Sequence, residues 1–144
     1  MTPFWYTGDS SGDNTQVGLY YKTNTANNLT LSWIGRAFVA PTFTMTAANW
    51  YFMAATVQAN GSTPAAHLWI GNATLTDAIA GVARSGTGTA TPNVSASPLR
   101  MMPGRGSVSY AGLTVYNRAL SYLDCASLYQ SFKAKMAERG VTEQ

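Results

Sequence analysis

Six carboxylates, one histidine and one cysteine supply most of the acid–base and nucleophilic chemistry this chain owns. Cutting a glycosidic bond ordinarily takes two carboxyl groups flanking the sugar, one an acid and the other a nucleophile or base. The acids here are Asp9, Asp13, Asp77, Asp124, Glu138 and Glu143. Asp124 stands where a helix cap would stand, and both glutamates belong to the carboxyl-terminal tail. A Ser–His or Cys–His nucleophile would have to use His67. That histidine sits beside Leu68 with no acidic neighbour in sequence, and reads as a surface residue on a strand. Cys125 falls on the apolar stripe of a helix, as a small core residue rather than a reactive thiol. With one cysteine in the chain, no intrachain disulfide can form. The expectation is a protein that is not an enzyme.

Binding chemistry has slightly more to offer. Asp9 and Asp13, within the run Gly8-Asp-Ser-Ser-Gly-Asp-Asn14, could give oxygen ligands to calcium, a hard cation. Their spacing is not that of an EF-hand, and the same residue types build turns. A turn is the favoured reading, with calcium the one cofactor the residues allow. Trp69 and Tyr116 are the outward aromatic candidates for stacking on a sugar ring. Core or subunit packing uses the same residue types.

The elements that must carry these residues are mostly strands. Short runs rich in β-branched and aromatic residues recur between clusters of Gly, Asn, Pro and Ser. Residues 17–22, 29–34, 42–46, 50–57, 67–70, 99–102 and 110–116 are the predicted strands. In the second, Leu29, Leu31 and Trp33 alternate with Thr30, Ser32 and Ile34, the period of a strand with one buried face. Residues 71–98 are small and polar, and 84–92 within them read as a long exposed loop. Near the end the period changes. Cys125, Leu128, Tyr129, Phe132 and Met136 recur at helical spacing, Ser121 with Asp124 resembles a capping box, and Gly140 is a natural stop. The domain plan is a β-sandwich over residues 1–120 and a helix over 121–140, packed on or extending from it.

Totals narrow the function classes. At 144 residues the chain is large enough for one domain with its own core, and 46% of its residues are hydrophobic. Only 10% are charged, well under half of the roughly 25% usual for soluble domains. Between Lys22 and Asp77 the one full charge is Arg36. Sparse charge weakens the repulsion that keeps copies apart, which favours an assembled protein. The net charge of +3 is scattered, and Lys133, Lys135 and Arg139 share their helix with Glu138, so no basic stripe for nucleic acid is visible. No run is apolar for the roughly 18 residues a membrane helix needs. Residues 1–6 do not read as a secretory signal.

Several of these segments resemble the LamG-type branch of the concanavalin A-like lectin and glucanase superfamily. Residues 49–57 (Asn49, Trp50, then an Ala-rich apolar run), 66–72 and 99–104 are similar to successive family strands. The closing motif, from Leu113 through Tyr116, Asn117 and Arg118 to Leu120 and Ser121, is the most specific, with Leu128 and Tyr129 at the helix's usual Leu-Tyr. The resemblance covers roughly residues 45–130. It implies an all-β, antiparallel jelly-roll β-sandwich with a C-terminal α-helix, in which Leu113 and Val115 pack inward. The glucanases' Glu-x-Asp-x-x-Glu motif is absent, and an acidic pair common on the closing strand would fall at Ala111 and Gly112. The family's opening strand has little room before Val17, so residues 2–7 or a neighbouring subunit must fill that edge.

LamG-like sandwiches occur among phage virion proteins and among lectins. The expected role is therefore a structural or binding protein, best matched to a capsid decoration or accessory protein on a phage particle, located in the virion. The alternative is a carbohydrate-binding module at a cell surface or outside the cell. Expected partners are proteins, as a homo-oligomer or a capsid lattice, and glycans in the alternative. Thr2, Pro3, Phe4, Trp5, Phe132 and Met136 are the expected interface, together with loop 84–92.

Overall fold

A computed structural model describes residues 2–7, 17–22, 28–33, 36–40, 43, 46, 49–58, 65–72, 74–82, 100–101 and 109–141. Among these residues, eight strands and one helix follow in order: β1 (Thr2–Thr7), β2 (Val17–Lys22), β3 (Asn28–Trp33), β4 (Arg36–Ala40), β5 (Phe52–Gln58), β6 (Ala65–Asn72), β7 (Thr74–Asp77), β8 (Arg100–Met101) and α1 (Tyr122–Ala137). They form a five-stranded sheet in the order β4-β3-β2-β1-β8 and a three-stranded sheet in the order β5-β6-β7. All pairings are antiparallel.

The two sheets share one apolar layer. Period-two alternation places Leu29 and Leu31 of β3 across from Tyr21 and Leu19 of β2, and across from Ala40 and Phe38 of β4. These meet Leu68 and Ile70 of β6, with Met53, Ala55 and Val57 of β5 around them. Leu29, Leu31 and Leu68 are wholly buried, and each such side chain contributes about 1.5–3 kcal/mol relative to exposure. Thr30, on the opposite side of β3 from the two leucines, is also buried, so that side of the sheet is covered as well.

Helix α1 lies on the other side of β5 and β6. Phe52 and Gly71 are cross-strand partners there, as are Ala54 and Trp69. The Tyr129 ring sits directly on Gly71, where any Cβ would collide with it. Phe52 meets Tyr129 and Phe132 at centroid distances of 5.4 and 5.9 Å. Cys125 and Tyr129 are the buried residues of the helix. Ser121 caps the helix through a full capping box with Asp124, and Gly140, at φ +73°, takes the left-handed turn that ends it.

This architecture corrects the expected all-β jelly roll. A jelly roll passes its chain back and forth between two sheets in Greek-key order. Here, among the described residues, β1–β4 and β5–β7 are each a run of consecutive hairpins, the chain passes between the sheets from β4 to β5 and returns from β7 to β8, and a helix forms a third layer. The fold is small α+β. The closing segment explains the difference: residues 112–116 form no strand, and Leu113 and Val115 are 46% and 68% exposed rather than packed inward. Gly112 lies against the Phe132 ring, so the segment rests on the helix and not in a sheet. Two smaller differences follow. Phe43 and Thr46, within the expected strand 42–46, lie outside any strand, and β7 forms at the start of the small, polar stretch 71–98, where no strand was expected. The opening edge is filled from within the chain, because β1 pairs with β2 on one side and with β8 on the other.

Candidate functional site

Three features on the helix side of β5-β6-β7 could act on something outside the chain. The first is a polar pair built by a hairpin. Antiparallel pairing sets Trp69 opposite Asp77, and the carboxylate reaches back to His67. Asp77 Oδ2 accepts from His67 Nδ1 at 2.8 Å, while Oδ1 accepts from the backbone N–H groups of Leu68 and Ile79, both at 3.1 Å. An imidazole held by a carboxylate is half of a nucleophilic triad. The Trp69 indole stacks on the face of this imidazole, 5.2 Å away and 12° from parallel. Through both of its oxygens Asp77 fastens the turn after β7 to His67 and the backbone of β6. Sequence reading missed it because ten residues separate the partners, and only the β6–β7 register brings them together.

Trp69 is enclosed by its neighbours. His67 lies on its face and Tyr122 of α1 approaches edge-on at 5.2 Å. Its indole Nε1 is buried without a hydrogen-bond partner among the described residues. As a sugar platform it offers little open face.

The second feature is a shallow cleft of about 280 Å³ between the segment before the helix and the helix itself. Tyr116, Arg118, Leu120, Asp124, Leu128 and Ser131 contribute to it. Arg118 Nη1 donates to Asp124 Oδ2 at 2.9 Å, and the Ser121 N–H donates to the same oxygen at 2.9 Å. The Arg118 hydrogen bond, followed by those of Ser121, holds the Asp124 carboxyl well below the usual carboxylate range. Such a depressed value stabilises the fold above the ordinary carboxylate pKa of about 4, and the contribution fades as pH falls below it. Wild-type protein should therefore lose more of its urea midpoint between pH 7 and pH 3 than Asp124→Asn does. Equal losses would mean that the capping box carries none of the acid sensitivity. The Arg118 charge is thus already engaged, which leaves the cleft neutral, with Tyr116 as its aromatic wall.

The third feature is a ridge of exposed apolar side chains. Leu113, Val115, Tyr116, Tyr122 and Leu123 are 46%, 68%, 43%, 49% and 74% exposed. Single exposed apolar residues are common on protein surfaces, whereas contiguous apolar patches are typical of contact surfaces.

Among the sequence candidates, Tyr116 lines the cleft and Trp69 does not, so the two are not brought into one site. Asp9, Asp13 and loop 84–92 lie outside the described residues. Thr2, Pro3, Phe4 and Trp5 belong to β1, which is an inner strand of its sheet at Trp5. Phe132 is engaged within the chain by Gly112 and Phe52, and Met136 is half-buried further along the helix. Cys125 is wholly buried, and burial pushes its thiol pKa up, as expected of an inert thiol. No group of three or more metal-binding side chains is gathered among the described residues. No helix among them is long and apolar enough to cross a membrane. Compared with known proteins, the chain matches no family model, no curated protein and no solved structure.

Proposed function

We propose that this protein is not a catalyst and works by protein–protein contact, as a decoration or accessory component on a phage particle. The observation that carries the contact role is the apolar ridge from Leu113 to Leu123, exposed on a chain in which only 10% of residues are charged. Interface cores are poor in charge and rich in aromatic residues, and Tyr116 and Tyr122 supply the latter. The particle assignment is supported by the sparse charge, which favours an assembled protein.

The test is mass spectrometry across a density gradient of particles from the source culture. The chain should co-band with the major capsid protein in a fixed ratio. Its confinement to the soluble fractions would sink the particle role. A second reading, glycan binding, has the Tyr116 cleft in its favour. Saturable binding on a glycan array, lost in a folded Tyr116→Ala variant, would replace the contact role with this one. Loss of that binding on calcium chelation would bring Asp9 and Asp13 back as ligands.

A further inference from the structure

We draw no further inference here: the strongest candidate, the exposed apolar ridge formed by Leu113, Val115 and Tyr116 beside α1 and by Tyr122 and Leu123 at its start, carries nothing beyond the contact role, because nothing in the structure shows what covers it.

Discussion

Replacing Tyr129 by alanine should lower the unfolding free energy by about 3–5 kcal/mol, the range for emptying a large aromatic site. The ring is almost wholly buried between α1 and the sheet, packed on Gly71 and against Phe52. Without it, the helix loses the main side chain that holds it to β6. The companion substitution gives the sharper result. Gly71→Ala adds one methyl group at a point where the Tyr129 ring leaves no room, and should cost about 1–3 kcal/mol by overpacking. In the Tyr129→Ala background the sign should reverse, because alanine is favoured over glycine inside a strand by about 0.5–1 kcal/mol. A double-mutant cycle by urea denaturation measures the coupling. Additive losses would show that the ring does not sit on Gly71.

The second large effect belongs to the layer between the sheets. Leu31 is wholly buried, with Leu19 and Phe38 beside it on the neighbouring strands. Leu31→Ala should cost about 2–5 kcal/mol, a transfer loss plus the cavity left where neighbours cannot close in. That is a large share of the 5–15 kcal/mol that holds a typical domain folded. Thr114→Ala, on the exposed segment, should change stability by no more than about 0.5 kcal/mol in dilute solution. If Leu31→Ala proved equally mild, the two sheets could not be sharing one core through β3.

The comparison between sequence and fold turns on what each signal depends on. Local periodicity carried β2, β3, β5, β6 and α1, because Leu29 and Leu31, or Cys125 and Tyr129, announce their buried side within a few residues. The Ser121–Asp124 capping box was legible for the same reason. Strand order was not legible, since it depends on contacts between distant segments. The motif from Leu113 to Ser121 is patterned like a strand and resembles one in a jelly roll. Its exposure is decided by Phe132 on Gly112, a contact that no alternation of residue types announces. His67 looked isolated for a similar reason, because Asp77 reaches it only through the register of β6 and β7. Trp69 was correctly placed on the side of β6 opposite Leu68, but α1 and His67 then enclosed it.

The pairing of β1 with β8 also governs the order in which the molecule can be made. Trp5 is bonded to Leu19 through a nearby hairpin, but its other partner is Met101. During synthesis β1 to β4 can assemble as successive hairpins while β8 has yet to emerge, and β5 to β7 can do the same. Until residue 101 arrives, β1 is an open edge on a nascent sheet, able to pair with any extended chain nearby. Closing so long a loop is entropically costly and slow compared with forming the hairpins. Refolding should therefore be fast for the hairpins and slower for the last edge, and aggregation should be most severe in the interval between them.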